Sequence, residues 1–213
     1  MIRDDGAGEA SEAGDGTGEL IAVGAQLAGS WAGGTTLAIA ASPREALGAA
    51  AQARWWIGTA VIEQAAPYTH FAGRWRDHLP FAGGGLLLHF TAPDETIALP
   101  SGVALRFDGA RPLRVELLGA PVRAFNVIAE PDVAVELAVL QLEPGAAAAL
   151  PQPRATDETV VVYAAVGAAA IVGAVVRWTL AEGDALLLRG DGDVTPLTLR
   201  FDAPATVIVA RLS

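Results

Sequence analysis

The chain has 213 residues, with 24 acidic against 14 basic side chains for a formal net charge of −10, and it contains no cysteine. That length is enough for one large core or for two small cores that share a wall. The acidic balance repels phosphate backbones, so we expect no nucleic-acid partner. The lack of cysteine excludes disulfides, zinc–thiolate sites and thiol nucleophiles, which fits the cytoplasmic location that we expect.

The N-terminal segment, residues 1–18, consists mostly of Gly, Ala, Asp and Glu and contains almost nothing to bury. This composition predicts a disordered acidic leader. The segment also lacks the basic-then-apolar order of a signal peptide. We therefore expect the folded part of the chain to begin close to residue 19.

Strands dominate the rest of the sequence. From Trp55 onward, short apolar runs are broken by turn residues about every eight to twelve positions, a rhythm typical of all-β sandwiches and barrels. One helix signal interrupts this pattern, because Ser42 can act as N-cap before Pro43 at the first helical position. It predicts one short helix over residues 43–53. The Gly-, Ala- and Pro-rich residues 145–153 are the best linker candidate.

One segment, Val160–Val176, is almost wholly apolar and approaches the length of a membrane span. It contains Gly167 and Gly173 and is rich in valine, a residue that favours pleated strands. Two buried strands around a glycine turn explain this composition better than a membrane helix. We therefore expect no membrane association.

Six blocks of glycine, aromatic and polar residues occur in a defined order along the chain. They are Trp31 with Gly33-Gly34, Thr36 and Ile39-Ala40; Trp55–Val61; Pro67, Phe71, Gly73 and Arg76; Phe107-Asp108-Gly109; Leu117–Val127; and Leu180–Leu188. In this order they resemble the HutD/Ves family of bacterial two-cupin proteins, over about residues 20–213. The resemblance implies two jelly-roll barrels of the cupin type, the first over residues 19–145 and the second over 146–213, with an approximate boundary and strands that can be shared.

The family resemblance implies a link to histidine utilisation, in which the protein senses or restrains the pathway by binding a small acidic intermediate. It brings no catalytic mechanism, so we assign no catalytic residue. Several polar family positions hold apolar or small residues in this chain, which implies a drier pocket and a different ligand. These positions are Ala38, Trp56, Gly58, Trp75, Ala124 and Ala129.

The histidines disfavour a metal site. Catalytic cupins usually hold their metal with a His-x-His pair, a nearby Glu and a distant third His. Here the only histidines are His70, His78 and His89, at spacings of eight and eleven. We therefore expect neither a metal nor another cofactor, with His78 in the turn after Arg76 and both His78 and His89 structural. His70, at the lip of the turn, is the best histidine for a ligand contact.

The candidate ligand-binding residues are few. Arg76 could clamp a carboxylate, or it could form an ordinary salt bridge with Asp77 or Glu116. Asn126 is an amide inside an apolar strand and needs either a backbone or a ligand partner. Trp55 and Trp56 are adjacent, so their side chains point to opposite faces of a strand and only one of them can face the barrel. The full candidate set is His70, Arg76, Asn126, Thr36, Thr59, Tyr68, Trp31, Trp55 and Trp56.

These observations predict a non-catalytic protein that binds a small, carboxylate-bearing metabolite and acts as a regulator in histidine utilisation or stress response. Two alternatives stay open. One is a metal-dependent cupin enzyme of the isomerase or dioxygenase type, which stoichiometric metal in the purified protein would reveal. The other is a structural or interaction protein whose barrels are filled by side chains. A homodimer is compatible with each of the three.

Overall fold

The computed structural model describes residues 18–91, 93–190 and 196–213, and within them the protein is built from nineteen β-strands and three single-turn 3-10 helices. This confirms the predicted all-β class. The short helices are Val23–Ala25, Arg44–Ala46 and Ala50–Gln52. Residues 1–17, which make up almost all of the predicted leader, lie outside the described residues, and Gly18 already belongs to the first strand.

Ten strands form the first barrel, as two antiparallel sheets that face each other. The larger sheet has the order β2-β3-β4-β11-β6-β9 and the smaller one the order β5-β10-β7-β8. The strands are β2 (Leu27–Trp31), β3 (Gly34–Ser42), β4 (Trp55–Ile62), β5 (Ala66–Pro67), β6 (Trp75–Ala82), β7 (Leu86–Thr91), β8 (Asp94–Leu99), β9 (Leu105–Asp108), β10 (Leu113–Leu117) and β11 (Val122–Ala129).

The other nine strands form the second barrel, again as two sheets. Their orders are β1-β17-β14-β19-β12 and β13-β18-β15-β16. The strands are β1 (Gly18–Ile21), β12 (Val135–Leu142), β13 (Ala147–Ala149), β14 (Thr159–Val166), β15 (Ala169–Val172), β16 (Arg177–Leu180), β17 (Ala185–Arg189), β18 (Thr198–Arg200) and β19 (Ala205–Leu212).

The strand pairing crosses the predicted division at residue 145 in two places. β1, at the start of the first segment, pairs with β17, and β12 pairs with β19 along its whole length. Residues 145–153, the linker candidate, instead lie within the second barrel, where β13 pairs with β18. The polypeptide therefore passes from the first barrel to the second between β11 and β12, and β1 joins the second barrel from the N-terminal side.

The predicted helix over residues 43–53 is present as two separate 3-10 turns instead of one continuous helix. Between them lie Leu47, Gly48 and Ala49, and Ala49 has φ −141° and ψ 70°, which interrupts helical geometry. Ser42 ends strand β3, and Pro43 takes the position before the first turn without a side-chain cap. The segment covers Trp56, whose Nε1 donates a hydrogen bond to the Leu47 carbonyl at 2.9 Å.

The apolar segment Val160–Val176 forms strands β14 and β15, joined through Gly167 at φ +71°, which confirms the two-strand interpretation. The two strands do not pair with each other, since β14 belongs to one sheet of the second barrel and β15 to the other. Within the described residues, no helix has the length and apolar character needed to cross a membrane.

Three large apolar clusters divide the interior, and a small fourth one joins Ala41 to Ala46 and Ala53 of the 3-10 segment. One fills the second barrel, and one lies inside the first barrel. The third lies between the barrels, where the outer face of the β2–β9 sheet packs against β14, β17 and β19. Because side chains alternate along a strand, β3, β4, β6 and β11 of that shared sheet send one set of residues toward the first barrel and the other set toward the second. In β11, for example, Phe125 lies in the inter-barrel core and Asn126 faces the first barrel.

Candidate functional site

A cavity of about 240 Å³ opens in the first barrel, between the inner face of its larger sheet, the 3-10 segment and the turn after β5. Apolar side chains form most of the wall, namely Leu27, Trp31, Leu47, Trp56, Phe71 and Ile128. The polar side chains are Ser30, Thr36, Tyr68, Thr69, Arg76 and Asn126.

Arg76 is the one charged side chain among the described residues that line this cavity. Its guanidinium lies 4.3 Å from the centre of the Tyr68 ring, and its Nε and Nη2 donate to Asn126 Oδ1 at 3.1 and 2.8 Å. Burial lowers the pKa of Arg76, but an arginine in a protein still carries its charge at neutral pH. The cavity therefore contains a fixed positive charge.

No carboxylate of the described residues lies within 4.0 Å of Arg76, so the salt-bridge alternative does not describe this arginine. Asp77 points to the opposite face of β6 and lies 3.6 Å from Arg106. Glu116 instead approaches His89, at 3.4 Å. Among the described residues, the groups around the Arg76 guanidinium are neutral: the Asn126 amide oxygen, the Tyr68 ring at 4.3 Å, and the Phe71 and Phe107 rings at 6.0 Å.

A chain of hydrogen bonds fixes the orientation of these groups. Since arginine only donates, the Asn126 atom that faces Arg76 must be the oxygen. The same oxygen lies 2.7 Å from His78 Nδ1, so Nδ1 carries the proton and donates. His78 Nε2 is then an acceptor, and the Tyr68 hydroxyl donates to it at 3.1 Å. The neutral imidazole thus holds Tyr68 and Asn126 in place on either side of it.

The strand register explains why these residues meet. β6 and β11 are neighbours, with His78 opposite Asn126 and Arg76 opposite Ile128, so all four side chains share the barrel-facing side. On the other side of β11, Asn126 lies opposite Gly58 of β4. A Cβ at position 58 would lie 2.3 Å from the Trp56 ring. Glycine at this position therefore leaves room for the Trp56 indole, which lies over its own strand.

The cavity brings together six of the nine predicted ligand-binding residues. These are Trp31, Thr36, Trp56, Tyr68, Arg76 and Asn126. Whether they bind a ligand stays a prediction. They come from six different strands or turns, which the sequence separates by up to 95 positions, from Trp31 to Asn126.

The other three predicted residues lie elsewhere. Trp55 and Thr59 occupy alternate positions of β4 whose side chains point away from the cavity. Trp55 belongs to the inter-barrel core, and the Thr59 hydroxyl lies beside the Tyr163 phenol of the second barrel. His70 is exposed in the turn before β6 and does not line the cavity. The prediction that only one of two adjacent tryptophans faces the barrel is met, with Trp56 as that residue.

His78 does not lie in a turn after Arg76, as the sequence predicted. Strand β6 runs from Trp75 to Ala82, and His78 is fully buried within it. The signal that could have identified it is the i, i+2 spacing of Arg76 and His78, which places both on one face of a strand. His89 is a surface residue of β7, where Nδ1 lies 3.1 Å from the Thr96 hydroxyl.

Two buried groups of β6, Asp77 and His78, have shifted pKa values that affect the stability of the protein in acid. Burial and the nearby Arg76 charge lower the pKa of His78 to about 3, whereas burial raises the pKa of Asp77 to about 6 against the effect of Arg106. The unfolded values are about 6.5 and 3.9. As pH falls from 6 to 4, unfolding takes up a proton at His78, which lowers stability. Over the same range Asp77 holds a proton in the folded state, which raises stability, so the two effects oppose each other.

We therefore expect Asp77→Asn to steepen the loss of stability in acid. Without the Asp77 carboxyl, only the effect of His78 remains. The free energy of unfolding of the variant should then fall by about 1.4 kcal/mol per pH unit between pH 6 and 4, more steeply than in the wild type. Urea denaturation of both proteins at a series of pH values measures this difference. Parallel curves for the two proteins would contradict the assignment of Asp77 as a protonated group in the folded state.

Cupin folds often hold a divalent metal, but the polar groups of this cavity do not fit one. A cation would lie next to the Arg76 guanidinium and be repelled by it. The one imidazole has both nitrogens engaged, with Tyr68 and Asn126. In the second barrel the corresponding interior is filled by apolar side chains such as Val162, Leu186 and Val207. No step through a metal ion follows from these residues.

Two antiparallel barrels in one chain, the first with a polar chamber and the second filled by its own side chains, define a bicupin. The sequence pattern of the HutD family matches residues 25–209. The chain therefore belongs to the HutD family, which confirms the resemblance found in the sequence. No protein with a curated description matches the chain in sequence.

Solved structures agree with this fold. A conserved protein of unknown function from Pseudomonas aeruginosa superposes with a TM-score of 0.78 at 22% identity, over 93% of this chain and 100% of the other. HutD from Pseudomonas fluorescens gives 0.68 at 18%, over 91% and 97%. A nickel(II) complex of the bacterial pirin YhhW from Escherichia coli gives 0.66 at 10%, over 91% and 98%. At these identities the similarity establishes the cupin fold alone.

Proposed function

We propose that the protein binds a small carboxylate-bearing metabolite in the cavity of the first barrel. The observation that carries this proposal is the Arg76 guanidinium, a fixed positive charge with no carboxylate partner among the described residues. Asn126 occupies the edge formed by Nε and Nη2, which leaves the edge formed by Nη1 and Nη2. That edge can donate two parallel hydrogen bonds to one carboxylate.

The other residues of the cavity wall limit which chemical groups the ligand can have besides its carboxylate. Trp31, Trp56, Phe71 and Ile128 offer apolar surface, and the hydroxyls of Thr36 and Thr69 offer only a few further hydrogen bonds. Small-molecule sites typically combine such apolar walls with a few fixed polar groups. A compact acid with one anionic end and a mainly apolar body fits the cavity best.

Binding is favoured over catalysis because the described residues in and around the cavity offer no acid–base group that titrates near neutral pH. His78 is buried, both of its nitrogens are engaged, and its pKa is lowered to about 3. It therefore takes up no proton near neutral pH. Burial also raises the pKa of Tyr68, so its phenol stays protonated.

Membership of the HutD family supports a role in histidine utilisation. We infer that the ligand is an acidic intermediate of that pathway, and that its binding regulates the pathway or a related stress response in the cytoplasm. HutD from Pseudomonas fluorescens was solved in a formate condition, and an oxalate decarboxylase from Lactobacillus farciminis as a formate complex. Formate is the smallest carboxylate, and these structures support a carboxylate as the ligand here.

Isothermal titration calorimetry with small acids tests this function. Urocanate, formylglutamate and formate are compared with the neutral amide of each acid. We expect at least one acid to bind at one site per chain, and its amide to bind at least about tenfold more weakly, because hydrogen bonds to charged groups contribute roughly 1.5–3 kcal/mol. If no acid binds, the proposal fails and the structural or interaction alternative is favoured. Stoichiometric metal in the purified protein would instead favour the enzyme alternative.

A further inference from the structure

Strand β12 forms one edge of the five-stranded sheet of the second barrel. It pairs with β19 through all eight of its residues, without a register shift. Just before it, Ala134 and Ser213 exchange two backbone hydrogen bonds, at 3.0 and 3.2 Å. In an antiparallel pair such exchanges alternate along the strand. Every second residue from Val135 to Gln141 therefore directs its N–H and C=O outward.

These outward groups have no hydrogen-bond partner among the described residues. The outward-directed residues are Val135, Leu137, Val139 and Gln141. The strand is also incompletely covered, since none of its eight side chains is buried. Its apolar side chains contact the core clusters of both faces and yet stay partly exposed.

Two other sheet edges of this protein carry charged residues that discourage pairing with another chain. β8 has Asp94 and Glu95 exposed on its edge, and β9 has Arg106 and Asp108 exposed. β12 has one charged residue, Glu136, and neither proline nor glycine. Long regular edge strands of low charge are the ones that pair with further strands.

We propose that β12 pairs antiparallel with β12 of a second copy of this chain, which makes the protein a homodimer. A two-fold axis at Ala138 lets all four outward residues of each copy take part, with Val135 opposite Gln141 and Leu137 opposite Val139. This register places Glu136 opposite Leu140, so like charges do not face each other. Alanine, the smallest side chain with a Cβ, lies on the axis. The two five-stranded sheets become one sheet of ten strands.

Sedimentation velocity over a concentration series tests this dimer. The wild type should sediment as a species of twice the 21.8 kDa chain mass. Ala138→Arg puts two like charges and two long side chains at the axis, and should raise the dissociation constant of the dimer at least about tenfold. The matched control is Ala98→Arg, since Ala98 is also an exposed alanine on an edge strand, β8. An equimolar mixture of Ala138→Arg and Ala138→Glu should restore the dimer, because opposite charges then meet.

A cross-link tests the register. The chain has no cysteine, so a single introduced cysteine can form disulfides only between copies. At a non-hydrogen-bonded antiparallel pair the Cα atoms lie about 4.5 Å apart, within the range of a disulfide. Oxidised Ala138→Cys should run as a covalent dimer, and Ala98→Cys as a monomer. A wild type that is monomeric at every concentration, or a dimer that Ala138→Arg leaves intact, overturns the proposal. These readouts are independent of carboxylate binding.

Discussion

Replacing Arg76 by glutamine is expected to abolish carboxylate binding and to leave the protein folded. The substitution removes the fixed charge and both donors of the free guanidinium edge. Two charge-assisted hydrogen bonds contribute roughly 1.5–3 kcal/mol each, so the dissociation constant should rise at least about a hundredfold. The fold should survive because Arg76 has no carboxylate partner to leave behind among the described residues, and the glutamine amide can still donate to Asn126.

Arg111 offers a matched control for this experiment. Its guanidinium also stacks on an aromatic ring, 3.9 Å from the centre of Phe90, and it forms an ion pair with Glu95 at 3.0 Å. It does not line the cavity. Arg111→Gln therefore removes a comparable charge and should leave affinity unchanged. Arg76→Lys keeps the charge without the planar fork and should bind with intermediate affinity. Wild-type affinity in Arg76→Gln, measured by calorimetry, would show that the ligand lies elsewhere.

The fold class was predictable because its signals are local. Turn residues and short apolar runs identify strands without knowledge of their partners, and Gly167 marks the turn between β14 and β15. The membership of β1 and β12 in the second barrel was not predictable in this way. Gly18 pairs with Leu188, and Val135 with Leu212, and such long-range pairing leaves no local pattern.

Residues of the candidate site were predictable where a side chain differs in polarity from its sequence neighbours or lies in a recognisable motif. Asn126 is an amide in an apolar strand, and Arg76 lies in a block that resembles a family motif, so both were found. The predictions that were wrong on β4 concern the alternation of side chains between the two faces of the strand. Trp55 and Thr59 are four positions apart and share one face of β4, opposite to the face of Trp56, so the three could not all line one cavity. Alternation along β4 separates Trp56 from the other two, but it does not say which face of the strand lines the cavity.

The position of His78 was predicted wrongly for a different reason. The residues before it, Gly73 among them, resemble a turn, and no local feature marks the start of β6 at Trp75. Its role depends on two contacts, Tyr68 from before the strand and Asn126 from 48 positions later. Only the pairing of β6 with β11 brings these groups together. The same pairing makes Asn126 the residue on which the site depends most.

Replacing Asn126 by leucine is expected to destabilise the protein strongly. Leucine has a similar size but no acceptor, so the two Arg76 bonds and the His78 Nδ1 bond all lose their oxygen. A buried donor left without a partner costs about 1–3 kcal/mol, and more when it is charged. With Arg76 and His78 both affected, we expect the free energy of unfolding to fall by about 3 kcal/mol or more, measured by urea denaturation.

Replacing Asn126 by aspartate separates stability from binding. The carboxylate keeps an acceptor where Arg76 and His78 donate, and its charge compensates the guanidinium, so the fold should be retained. The same charge repels a carboxylate ligand and neutralises the group that would bind it, so affinity should fall at least about tenfold. Leucine thus removes stability and binding together, whereas aspartate removes binding alone. An Asn126→Asp protein that binds the acid as tightly as the wild type would mean that the positive charge of Arg76 does not attract the ligand.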